Sequence, residues 1–244
     1  MPADVGSVAW LERTGGRLSK RERAYLLRGM FPMIRAGFRL RRDAKRSPRY
    51  GAALDPFEPP DTPIVRACRE HLATNCGAAM TNHSYRTAFW TLAVLDHHGS
   101  VDDRTLETTW VAALLHDVGL ERPPERGDFS AGGIAVLAQL AQQHDWSKNQ
   151  TRAASEAIAV NLSTRVDAAK LGPVAWAMNA GGAGELGIWP HRAQLRRDRV
   201  RELEARFPRD GFRRAAMRLI RDEATRIPEG RFALFKPVYW LLMR

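Results

Sequence analysis

Thr109-Trp110-Val111-Ala112-Ala113-Leu114-Leu115-His116-Asp117-Val118-Gly119 is the stretch that decides how this chain folds. It is an apolar run that ends in an imidazole beside a carboxylate. Its length and its start at Asp102-Asp103 read as a buried helix, with Gly119 as the stop. A His-Asp pair at the end of a buried helix is costly unless the charge finds a partner, and a metal ion is an efficient one. A second imidazole stands 33 residues upstream of His116, in Asn82-His83-Ser84-Tyr85-Arg86. Two imidazoles and a carboxylate suit one borderline divalent cation such as zinc, iron or manganese.

Outward from that run, helical periodicity dominates and strand or hairpin signals are scarce. The pattern predicts helices over about 17–42, 63–78, 82–98, 103–118, 130–144, 149–162, 173–181, 192–206, 210–226 and 233–243. Pro32 is expected to kink the first and Pro237 to interrupt the last. Residues 43–62, rich in Arg, Pro and Asp, read as a linker, and residues 119–129 as a polar loop. Gly181, Gly182 and Gly184 predict a flexible turn. The fold class is all-α, with no pattern for a parallel sheet. Three regions are expected: a basic helical extension and linker over 1–60, the metal-binding domain over 61–190, and C-terminal helices packing on it over 191–244.

Composition constrains function as well. The 244 residues are 44% hydrophobic and 27% charged, as in an ordinary globular protein, and no run reaches the length of a membrane span. The net charge of +11 is unevenly spread: residues 1–50 carry 13 Lys/Arg against 4 Asp/Glu, whereas residues 51–190 carry 10 against 16. An acidic centre around the His-Asp pair argues against a large polyanionic substrate such as nucleic acid, which calls for positive charge at the site. The basic amphipathic stretch 17–46 could also lie on an anionic membrane surface. Cys68 and Cys76 match no metal or redox spacing and read as inert core thiols. With no secretory signal at the N-terminus, the expected compartment is cytoplasmic, with membrane association through 17–46 as the variant of that expectation.

The motifs together resemble the HD-domain superfamily of metal-dependent hydrolases, whose ligands are a first His, a consecutive His-Asp and a later Asp. The likeness is nearest to the cyanamide hydratase-like branch. Its His-x-x-Arg-Ser/Thr is matched by His83-Ser84-Tyr85-Arg86-Thr87, and its Leu-Leu-His-Asp-x-Gly-Leu by Leu114 to Leu120. Three later segments match in part: Phe129-Ser130-Ala131-Gly132-Gly133, Ala157-Ile158-Ala159-Val160-Asn161 and Gly182-Ala183-Gly184-Glu185-Leu186-Gly187. The resemblance covers about 62–190. It implies an all-α HD-like bundle flanked by basic helical extensions, with His83, His116, Asp117 and Glu185 as metal ligands and Glu185 in place of the last Asp.

Asn161 stands where a second-metal His is common and Ser130 where a Glu is common. The resemblance therefore implies a single metal, with Asn161 and Ser130 as polar side chains behind the ligands. Asp117 would both ligate and orient the attacking water. Arg86, one helical turn after His83, would bind the substrate, a small molecule for which a guanidinium favours an anionic group. The expected activity is hydrolysis, as by a phosphohydrolase, or hydration of a nitrile-like group. The alternative is a catalytically degenerate HD-fold protein that binds or regulates.

Overall fold

In the computed structural model, which describes residues 4–43, 53–99, 101–164, 166–186 and 196–242, the regular structure is helical. Among the described residues there is no strand, only an isolated antiparallel bridge between Arg17 and Gly230. The chain is all-α. In order the helices are α1 (Val8–Thr14), α2 (Lys20–Asp43), α3 (Pro63–Asn75), α4 (Ala78–His98), α5 (Asp103–Leu115), α6 (Val118–Glu121) and α7 (Phe129–Gln143). They continue as α8 (Lys148–Ala159), α9 (Ala168–Leu171), α10 (Pro173–Glu185), α11 (Arg197–Arg206), α12 (Phe212–Arg226) and α13 (Arg231–Leu242).

Their starts follow from local chemistry. Asp102 accepts a hydrogen bond from the Thr105 amide at 2.8 Å, Asp128 one from the Ser130 amide at 3.0 Å, and Pro63 sits where a helix needs no N–H. Before α2, Ser19 and Glu22 form a reciprocal capping box: Glu22 N donates to Ser19 Oγ and Ser19 N to Glu22 Oε2. Glu22 also takes the indole N–H of the buried Trp10 at 2.9 Å, which ties α1 to α2.

Two apolar clusters make the core. One joins α3, α4, α5, α8 and α10, with Trp110, Phe89 and Leu114 fully buried. The other joins the N-terminal segment to α12 and α13, and reaches Met80, Leu120 and Phe129 of the central helices. The basic flanks thus supply apolar faces to the core, and Arg231, Glu22 and Glu223 are buried with them.

Four local expectations need correction. Helix α10 runs through Gly181, Gly182 and Gly184, where a flexible turn was expected. A Cβ on Gly181 would stand 2.7 Å from the Thr91 amide nitrogen and 2.8 Å from its Cα, so glycine there serves close helix packing against α4. Gly119 does not stop a helix; it lies inside α6, where a Cβ would strike the Phe129 carbonyl oxygen. The stop falls earlier, at Leu115. Helix α13 continues through Pro237, where an interruption was expected. Helices α1 and α9 were not expected, although Ser7 caps α1, Gly15 ends it and Asp167 caps α9. Residues 44–52 of the linker, residues 187–195 with Gly187 of the last motif, and the 44–46 end of the basic stretch lie outside the described residues.

Among the described residues no helix is long and apolar enough to cross a membrane.

Candidate metal centre

Two elements carry the centre. His83 sits in the first third of α4, and His116 and Asp117 form the break between α5 and α6. That break has a purpose. On a continuous helix adjacent side chains diverge by about 100° and could not share one ligand. Here His116 keeps helical angles while Asp117 moves to φ −113°, ψ 4°, the bridge region between helix and strand geometry, and both side chains face His83.

The donor atoms converge. His116 Nε2 lies 3.3 Å from His83 Nε2 and 3.2 Å from Asp117 Oδ2, and His83 Nε2 lies 3.4 Å from the same oxygen. One donor atom from each residue falls within 4.8 Å of the others, as a set that could hold a metal ion. The far side of each ring is tied. His116 Nδ1 is 2.8 Å from the Ala113 carbonyl oxygen, the position for an N–H donor, which leaves the Nε2 lone pair facing inward. His83 Nδ1 is 3.0 Å from Glu185 Oε2, and the ring stacks on Phe212 at 4.7 Å. Two inward lone pairs and a carboxylate repel one another unless a cation joins them. Asp117 Oδ1 is buried and has no hydrogen-bond partner among the described residues, a further acceptor left for a ligand. The residues present therefore fit a divalent cation.

Charge at the centre is strongly coupled. Burial by itself would lower the His83 pKa, but the Glu185 and Asp117 carboxylates outweigh it and raise it above the ordinary imidazole value. Burial would raise Asp117, and the two imidazoles instead hold it well below the usual carboxylate range. Glu185 is likewise depressed against burial, by His83 first and then by Arg86 and Arg209.

Glu185 and Arg86 are not where the sequence reading put them. Glu185, expected as the fourth ligand, is fully buried on the Nδ1 side of His83, away from the shared point of the three donors. Its Oε1 accepts from Arg86 Nε at 2.6 Å and Arg209 Nη1 at 2.9 Å, so two guanidiniums compete for it. Arg86, expected to bind substrate, is 0% exposed and gives its Nη1 protons to the Phe207 and Pro208 carbonyls. It links α4 to α10 and to the turn before α12, and does not reach the cavity.

Ser130 and Asn161 also find definite places. Ser130 is buried and its hydroxyl accepts from Arg231 Nη2 at 2.9 Å. Arg231 in turn grips Asp128 at 2.6 Å and the Ala159 carbonyl at 2.6 Å. Ser130 thus belongs to the anchor of α13 and not to the surroundings of the metal ligands. Asn161 lines the cavity beside the centre. Its backbone carbonyl accepts from Asn179 Nδ2, but its side-chain amide forms no hydrogen bond among the described residues.

That cavity, of about 90 Å³, has His83, His116 and Asp117 in its wall. Most of the remaining wall is apolar and comes from both halves of the chain: Met80 and Leu120 from the centre, Phe212 and Ile220 from α12, Phe232 and Tyr239 from α13. The part played by Phe212, Arg209 and Tyr239 was invisible in sequence. They are more than 90 residues from Asp117, the nearest of the three converging ligands, and only the aromatic richness of the C-terminus hinted at a packed wall.

Comparison with known proteins agrees with the geometry. No curated protein matches the chain. Residues 80–169 match the family model of the HD domain. The matched segment, under half of the chain, is similar to HD domains; it holds His83, His116 and Asp117 and ends before Glu185.

Proposed function

We propose that the chain is a one-metal hydrolase or hydratase acting on a small molecule, with His83, His116 and Asp117 as the protein ligands. The observation that carries this reading is the convergence of two ring nitrogens and a carboxylate in the wall of a cavity, with both imidazoles oriented from behind. Three protein ligands with open positions are the pattern of a catalytic rather than a structural site. A divalent cation held there supplies Lewis acidity, making water a nucleophile near neutral pH and polarising the substrate.

The chain's own residues do the rest. Glu185 and the Ala113 carbonyl fix the imidazole orientations, as carboxylates and carbonyls behind ligating histidines do. Asp117 has one oxygen toward both histidines and one without a partner among the described residues. That second oxygen can accept a hydrogen bond from the attacking water and so orient it. The apolar wall limits how much bulk water shares the centre.

Metal content tests the reading. Purified protein is expected to hold close to one transition metal per chain, and His116→Ala to lose it while remaining helical by circular dichroism. Wild-type protein that binds neither Zn²⁺ nor Mn²⁺ would remove the enzyme reading. A second reading, a binding or regulatory protein without turnover, is favoured by one observation, the engagement of Glu185 with two arginines instead of the metal. It predicts a metal-loaded protein that turns over no ester, amide or nitrile.

A further inference from the structure

We infer that the cavity selects an uncharged small molecule with an apolar body, presented head-first to the metal centre; this deepens, and rests on, the reading of His83, His116 and Asp117 as a metal site.

The wall has a simple division. Among the described residues lining it, none is Lys or Arg, and the titratable groups are the three ligand residues and Tyr239. Burial, and next to it the Asp117 carboxylate, push the Tyr239 phenol up from its ordinary pKa, so it stays neutral. The guanidiniums of Arg86 and Arg209 are turned to Glu185, behind His83. The cation an anionic head group would meet there is the metal ion itself, and Asp117 already neutralises half of its charge; a phosphate dianion would leave the centre net negative, with no side-chain cation among the described lining residues to offset it. An anionic head group needs such a partner when it leaves water.

Apolar side chains make up the rest of the wall, from Met80 and Leu120 to Phe212, Ile220, Phe232 and Tyr239. They reward an aliphatic or aromatic body. The polar exception is a small cluster at the 3-10 turn after α8. Thr164 Oγ1 is buried with no hydrogen-bond partner, and the Asn161 amide forms no hydrogen bond among the described residues. An amide and a hydroxyl left unpaired in an apolar wall suit a neutral carbonyl, amide or nitrile, whose donors and acceptors they can match.

Calorimetric titration of the full-length, Zn²⁺-loaded protein tests this. The probes are straight-chain primary amides from acetamide to hexanamide, inorganic phosphate and adenosine monophosphate. Affinity for the amides should rise about three- to fourfold per added methylene until the cavity is full. Phosphate and the nucleotide should bind more weakly than hexanamide. Ala216→Phe, on the cavity wall, should move the cut-off to shorter chains, and Phe232→Leu should move it to longer ones, which covers the case in which the larger side chain fails to fold. Amide affinity independent of chain length, or phosphate binding tighter than every amide, would overturn the inference. Metal content measured on the same samples separates the two claims. Protein that never holds metal sinks the metal reading and, with it, the head-first placement at the centre; metal-loaded protein without chain-length dependence sinks this inference alone.

Discussion

Glu185 shows how a single residue can keep its chemistry and change its job. Its carboxylate is fully buried, 3.0 Å from His83 Nδ1 and bonded to Arg86 and Arg209. Removing its charge with Glu185→Gln should therefore weaken metal binding about 10- to 100-fold, as loss of a carboxylate behind a ligating histidine does, with stoichiometry still one. Competition against a chelator reads this directly, and loss of stoichiometric binding would instead make Glu185 a ligand. The same substitution strands the buried Arg86 charge. It should cost about 3–5 kcal/mol and lower Tm by about 10 °C. The thiols offer an independent check on burial. Burial first, then Glu107, push Cys68 up to about 12. At pH 8 only about one thiol in ten thousand is ionised at such a value, so a disulfide reagent should leave Cys68 unmodified until the protein unfolds. Reaction at the rate of a free cysteine in folded protein would contradict the packing. His83, His116 and Asp117 were legible in the sequence because ligand chemistry restricts residue types at short spacings. Arg86 was misplaced for the same reason that made it conspicuous. A guanidinium one turn from a ligand fits an anion site and a buried ion pair equally well, and only the distant Glu185 decides between them.

Helix α10 carries the lesson at the scale of the element. Three glycines near its end read as a turn, because local propensity is all that a short window reports. The helix persists because it is held tightly against α4, with Gly181 over the Thr91 backbone. That contact is also what brings Glu185, four residues on, behind His83, which lies about two helix turns before Thr91. Gly181→Ala should therefore act on the site as well as on stability. Its Cβ meets backbone atoms, which cannot swing aside as a side chain can, so α10 must shift outward at about 1–3 kcal/mol. A lower denaturation midpoint, together with metal affinity reduced in the same direction as in Glu185→Gln, is the expected result. Unchanged metal affinity in a destabilised variant would show that α10 does not position His83. The break between α5 and α6 is the converse case. Its position was legible to within a few residues from the apolar run, but Gly119 was credited with ending the helix when the turn at His116-Asp117 does so. Glycine signals a backbone without a Cβ; whether that serves a turn or a close approach depends on what stands opposite.

Across the whole molecule, the flanks complete the site. The sequence reading treated residues 1–60 as a basic extension and linker and residues 191–244 as basic helices packing on a central domain that held the whole site. Composition could not show that α12 and α13 turn an apolar face inward and close the cavity with Phe212, Ile220, Phe232 and Tyr239. The closure hangs on one buried cation. Arg231, 1% exposed, binds Asp128 through Nε and Nη2, the Ser130 hydroxyl and the Ala159 carbonyl, and lies 5.3 Å over the Trp10 ring. It thereby joins α13 to the start of α7, the end of α8 and the N-terminal helix α1. Arg231→Met keeps most of the side-chain volume and removes the charge, leaving the Asp128 carboxylate buried beside a thioether. The cost should be about 3–5 kcal/mol. Adding Asp128→Asn should recover a large part of it, because the amide oxygen can still cap α7 and no buried charge remains unpaired. Because the three metal ligands stand on α4 and on the α5–α6 break, metal content should be unchanged in both variants. Amide hydrogen exchange should quicken in residues 231–242 of Arg231→Met while α4 and α5 keep their protection. Loss of metal with α13 still protected would mean that Arg231 supports the ligands directly. Equal protection throughout would mean that apolar contacts alone hold α13 over the cavity.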